Sequence, residues 1–133
     1  MKFLLDTCIC IYIIKNNPIV VLEKFKKFTT GDIFLSSITV AELRYGIEKS
    51  HHKEKNRLAL EEFLMPLEII SFDDHATHFY GVLRADLEKK GIMIGPLDLM
   101  IASHALSLKL TLVTNNTREF SRVTKLHLQD WTK

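Results

Sequence analysis

Short apolar runs alternate with longer segments of helical period along this chain, and that alternation restricts the fold more than any other feature. The runs are "KFLL" (2–5), "DIFLSS" (32–37), "LEIISF" (67–72), "LTLVT" (110–114) and "LHLQDW" (126–131). Helical segments separate them: 7–15, 18–28, 37–50, 53–67, 73–91 and 95–109, with a turn and short helix over 115–123. Asn16-Asn17-Pro18, Pro66 and Gly91 stop helices, while Pro18, a cap-like Ser37 or Thr39, Asp73 and Pro96 start them. Strands parted by helices form crossovers, so the expected fold is α/β: three layers around a central, mainly parallel sheet, with 126–131 on its edge. At 133 residues the chain can build one proper core, which points to a single domain over 1–133 with no repeat or linker.

Within that pattern "MKFLLDTCICIYIIK" is anomalous, because Asp6 interrupts the most hydrophobic stretch of the protein. An isolated ionised carboxylate in a core costs several kcal/mol, in rough terms, unless something pairs with it. Asp6 also breaks up any signal-peptide core, no small-residue cleavage site follows, and the run is too short to cross a bilayer, so no membrane association is expected. Cys8 and Cys10 lie about 200° apart on a helix, which argues against a disulfide between them. Without further cysteines they make a poor zinc site, and buried thiols in a reducing cytoplasm are expected. Phe25, Phe28, Phe79 and Tyr80 are expected in the core. A formal charge of +2 neither demands nor excludes a nucleic-acid partner.

In open parallel sheets, sites form beyond the carboxyl ends of the strands. Asp6 follows the first strand, Glu42 is on the helix after 32–37, Asp98 opens the helix feeding 110–114, and Asn115, Asn116 and Glu119 follow that strand. Three or four carboxylates thus converge on one rim, each in an apolar setting: "LLDT", "VAELRYG", "GPLDLMIA". Clustered acids raise one another's pKa unless a cation holds them, and Mg²⁺ or Mn²⁺ suits an all-oxygen set. Each acid also has an ordinary explanation: Asp6 as a helix cap, Glu42 as a partner of Arg44, Asp98 as a favourable charge at a helix start, Glu119 as a solvated residue. The case rests on the four together.

"FLLDT", "SSITVAELRYGIEKS", "GPLDLMIASHALSLKLTLVTNNTREFSRV" and "LHLQDW", in that order over residues 2–131, resemble the PIN-domain toxin ribonucleases of the VapC type. The subgroup most similar to them is described as tRNA(fMet)-specific endonucleases. The resemblance implies a PIN-like α/β/α domain and a cytoplasmic, Mg²⁺-dependent endoribonuclease, with Mn²⁺ as a substitute. It also implies a homodimer held in check by a VapB-type antitoxin, with tRNA as the RNA substrate and operator DNA reached only through the antitoxin. Asp6 and Asp98 match the family's principal metal ligands, and Glu42 matches the glutamate of its second motif. Many PIN domains carry an Asp where this chain has Asn116, so Glu119 or Asn116 fills the fourth position. Thr7, Thr114 and Asn116 are expected to support the acids by hydrogen bonds.

Two other readings compete. A catalytically silent PIN-fold partner, acting only within an antitoxin–DNA complex, is favoured by Asn116. An Asp6 nucleophile of a flavodoxin-like enzyme lacks the second Asp, Cys8 standing in its place. His75 and His78 lack the ligands of a zinc site, His51 and His52 are expected to be solvated, and the adjacent Ser103 and His104 point apart on a helix.

Overall fold

The computed structural model describes the whole chain, Met1–Lys133. Five strands, β1 (Phe3–Leu5), β2 (Ile33–Ser36), β3 (Glu68–Ile70), β4 (Thr111–Val113) and β5 (Leu128–Gln129), form one sheet in the order β3-β2-β1-β4-β5. Every pairing is parallel, so the expected sheet is not mainly but wholly parallel. The helices are α1 (Thr7–Lys15), α2 (Ile19–Lys27), α3 (Ser37–Glu48), α4 (Lys53–Leu64), α5 (Asp74–Lys90), α6 (Pro96–Leu108) and the short α7 (Thr117–Phe120). None is long and apolar enough to cross a membrane.

The middle strand, β1, is apolar and buried at every position because both faces of the sheet are covered. Phe3, Leu5, Ile33, Leu35 and Val113 pack with Ile9, Cys10 and Ile13 of α1, Val21 of α2, Leu43 of α3, and Leu60 and Leu64 of α4. Leu4 and Leu112 face the other way, onto Leu83 and Leu87 of α5, Leu99, Ile101 and Ala105 of α6, and Phe120 of α7. From β1 the chain moves outward to β2 and β3, then returns past β1 to β4. That reversal opens a crevice between the carboxyl ends of β1 and β4, where Asp6 and Thr114 lie.

Several local expectations are corrected. Ser36, rather than Ser37 or Thr39, caps α3: its Oγ accepts from the Ile38 N–H at 3.1 Å, while Ser37 Oγ accepts from the Phe72 N–H. β5 ends before Asp130, whose Oδ1 accepts from both the N–H and the hydroxyl of Thr132 and turns the chain out of the ladder. α4 ends as expected ahead of Pro66: Met65 caps it in helical conformation, its N–H donating to the Glu61 carbonyl, and Pro66 has no N–H to carry the ladder further. Cys8 is exposed although Cys10 is buried, and both are free thiols. Phe28 and Phe79 stand at the margin of the core, each 36% exposed, with Phe28 stacked on Trp131.

Candidate active site

Asp6 leaves β1 in extended conformation and caps α1, its Oδ1 accepting from the Ile9 N–H at 2.9 Å. Its side chain is thus both a cap and part of the acidic rim. Asp6 is only 7% exposed, and no ion pair of the protein involves it, Glu42, Asp98 or Glu119. Burial pushes its carboxyl pKa up; the Thr114 hydroxyl and the Ile9 N–H pull the other way, and the charges of Glu42 and Asp130 push it further up. Glu42, in the second turn of α3, is held by Thr7, whose Oγ1 donates to Glu42 Oε1 at 2.9 Å. Glu42 forms no ion pair with Arg44, which removes the ordinary explanation of its charge.

Asp98 and Glu119 make a carboxyl pair at the start of α6. Glu119 takes the Gly95 N–H on Oε1 and the Asn116 Nδ2 amide on Oε2, each at 2.7 Å. Those donors, the Gly95 N–H foremost, hold Glu119 below the ordinary carboxylate range. Asp98 has no comparable donors. Burial first, then the facing Glu119 charge and a shared hydrogen bond, push it up to about 6. Without a cation, Asp98 therefore gives up its proton only as pH rises through about 6, and above that two facing carboxylates stand side by side. Asn116, whose N–H donates to Thr114 Oγ1, is committed to orienting Glu119.

The structure thus brings Asp6, Glu42, Asp98 and Glu119 to one rim, with Thr7, Thr114 and Asn116 bonded among them. No three His, Cys, Asp or Glu side chains close into a ready cage. Mg²⁺ needs no such cage, since it keeps several waters and takes one or two protein carboxylates. The donor set is all oxygen, Asp6 is buried without a cationic partner, and a Cβ at Gly95 would lie 3.5 Å from Asp98 Oδ2 and 3.6 Å from Glu119 Oε1. The glycine keeps open the space beside both carboxylates, and these residues fit a hard divalent cation.

One acid escaped the sequence reading. Asp130 follows Gln129, which pairs with Val113, which pairs with Leu5, so Asp6, Thr114 and Asp130 form the next row along three strands. A carboxylate just beyond a parallel strand was the available signal, hidden by drawing that strand through Trp131. The histidines stay outside the site. His78 pairs with Asp74, His75 packs on Phe79, and His51 and His52 are exposed. Ser103 donates to the Leu99 carbonyl, and the buried His104 sits against Ser36 with Nδ1 at 2.8 Å from Oγ.

A parallel sheet of this order with a carboxylate rim at the β1/β4 crevice is the arrangement of a PIN domain, and the PIN domain family model matches residues 3–126. Among curated relatives, "Ribonuclease VapC2" of Rickettsia felis is 48% identical over 134 residues, 100% of each chain. "tRNA(fMet)-specific endonuclease VapC" of Shigella flexneri is 46% identical, over 98% of each chain. The crystal structure of VapBC2 from Rickettsia felis bound to a DNA fragment from their promoter superposes with a TM-score of 0.92 at 45% identity, covering 98% of this chain and 99% of that one. The chain belongs to the VapC ribonucleases of the PIN-domain family.

Proposed function

We propose that residues 1–133 act as one domain, a Mg²⁺-dependent endoribonuclease that is the toxin of a toxin–antitoxin pair and cuts tRNA, the initiator tRNA in particular. The observation that carries this reading is the set of cation-less carboxylates at the carboxyl ends of β1 and β4. The tRNA class rests on the name of the Shigella flexneri relative.

Asp6 and Asp98 would hold the ion, Mn²⁺ substituting for Mg²⁺. A bound ion supplies charge against the phosphoryl oxygens and lowers the pKa of coordinated water. Glu119, kept ionised by Gly95 and Asn116, is placed to take a proton from an attacking water. Glu42, fixed by Thr7, would help to orient that water. Thr114 holds Asp6 in place for the ion. Against the silent-partner reading, which drew on Asn116, stands the bond from its amide to Glu119 Oε2, which leaves a carboxylate at this end of the rim.

A groove of about 310 Å³ between α1, α3 and α4 runs up to Glu42, lined by Ile11, Ile14, Leu43 and Ile47. It suits the apolar face of a VapB-type antitoxin segment whose Arg or Lys enters the acidic rim; operator DNA would be reached only through that partner, in the cytoplasm. Exposed Tyr45 and Leu97, beside Glu42 and Asp98 in sequence, offer apolar surface for a homodimer.

The test is cleavage of tRNA with Mg²⁺, with Mn²⁺ and with EDTA, by wild type, Asp6→Asn and Asp98→Asn. Cleavage should need the ion and both acids. Undiminished cutting in EDTA would refute the metal reading. Changing the antitoxin's basic residue to Ala should weaken inhibition.

A further inference from the structure

A rim of carboxylates repels an RNA backbone, so a site of this kind needs a fixed cation beside it. Arg57 and Arg84 are engaged by the carboxylates of their own helices, Glu54 and Glu61 for one and Glu88 for the other. Arg122 differs. Its Nη1 donates to the Met93 main-chain carbonyl at 2.7 Å, it forms no ion pair within 4.0 Å, and it is exposed. A guanidinium carries five N–H donors, so four remain to face solvent.

The backbone beneath that side chain is fixed as well. The Arg122 N–H donates to the Glu119 carbonyl and the Val123 N–H to the Phe120 carbonyl, while Phe120 and Val123 are buried in the core. Met93 and Gly95 belong to the same loop, so that loop is tied to the segment after β4 at two points, Gly95 to Glu119 and Met93 to Arg122. Arg122 is also close enough to Glu119 for its charge to help keep that carboxylate ionised. The result is an immobilised, unpaired, forked cation next to the Asp98–Glu119 pair. Fixing the fork in advance reduces the entropy lost when it grips an anion, and its geometry matches two oxygens of a phosphate.

We propose that Arg122 is a substrate-binding residue that takes a backbone phosphate of the RNA beside the scissile one, positioned for it by the Met93 carbonyl. This rests on the ribonuclease reading above. The test measures binding apart from cutting: the Asp98→Asn chain, with Arg122, Arg122→Gln or Arg122→Lys, is titrated onto a fluorescent tRNA transcript across a range of KCl concentrations. Loss of one phosphate contact should weaken binding roughly tenfold at low salt and lower the slope of log affinity against log salt by about 0.7–0.9. Arg122→Lys should restore the slope. An unchanged slope in Arg122→Gln overturns the proposal, even if affinity falls, because a mere clamp on the 91–95 loop would leave the charge count of binding intact. Thermal melts of the three chains check that the fold is kept. A wild-type chain that leaves tRNA uncut in Mg²⁺ would instead bring down the tRNA reading above, and this assignment with it.

Discussion

Replacing Asp98 by Asn should disarm the site and, without metal, make the protein more stable. Asp98 titrates at about 6 in the fold against 3.8 for the free side chain, chiefly through burial and the facing Glu119. A rise of that size corresponds to about 3 kcal/mol at most. Asp98 is partly open to solvent, so screening reduces the figure to about 1–2 kcal/mol. The sign follows from the raised pKa. The protonated carboxyl fits the fold, its stabilisation is complete below the unfolded pKa near 4, and it is lost as pH rises through about 6. Above that the folded protein carries a strained carboxylate pair. The Asp98→Asn change removes the charge and offers Glu119 an amide donor at every pH. In EDTA at pH 8 the variant should melt higher by roughly 3–10 °C, with the gain shrinking steadily toward pH 5. In Mg²⁺ the order should reverse, because wild type gains binding energy that the variant lacks. Melts of both proteins across pH, with and without Mg²⁺, test each part. A gain equal at pH 5 and pH 8, or no gain in EDTA, would show that the Asp98–Glu119 pair is not strained as described.

Glu119→Gln should lower single-turnover cleavage by roughly 10²–10⁴-fold at saturating Mg²⁺, the usual cost of losing a general base. Asn116→Asp should be tolerated, and Asn116→Ala should cost less than Glu119→Gln; the reverse order would move the base to the position of Asn116. Gly95→Ala should fold normally, since the added Cβ makes only ordinary contacts, yet cleavage and Mg²⁺-induced stabilisation should both fall as the methyl fills the space beside Asp98 and Glu119. Asp130→Asn keeps an oxygen for the Thr132 bonds but removes a charge that acts on Asp6, so metal-free stability should rise by up to about 0.5 kcal/mol; a fall in melting temperature in EDTA would contradict that charge effect.

The layered fold and the acidic rim were legible because they depend on coarse features. Alternating apolar runs dictate a parallel sheet, and a lone Asp after an apolar strand can only stand at its end. What stayed hidden depends on bonds between distant residues. The orientation of Glu119 depends on the Gly95 N–H, 24 residues away, which no local pattern reveals. Asp130 was concealed by a strand end that a turn with Thr132 decides. The exposure of Cys8 is a matter of helix phase: Ile9, Cys10 and Ile13 take the buried face of α1, leaving its neighbour outside.

The reversal between β1 and β4 also has a consequence in time. Asp6 and Glu42 come from the early half of the chain, Asp98, Glu119 and Asp130 from the late half, and β1 finds its second neighbour only when β4 exists. At about 5–20 residues per second, a ribosome takes on the order of 5–20 s to make the hundred-odd residues between them. Throughout that interval the growing chain holds isolated acids and no assembled site. A ribonuclease whose acids come from both ends of its chain is, by the order of its strands, inert until its own synthesis is nearly over.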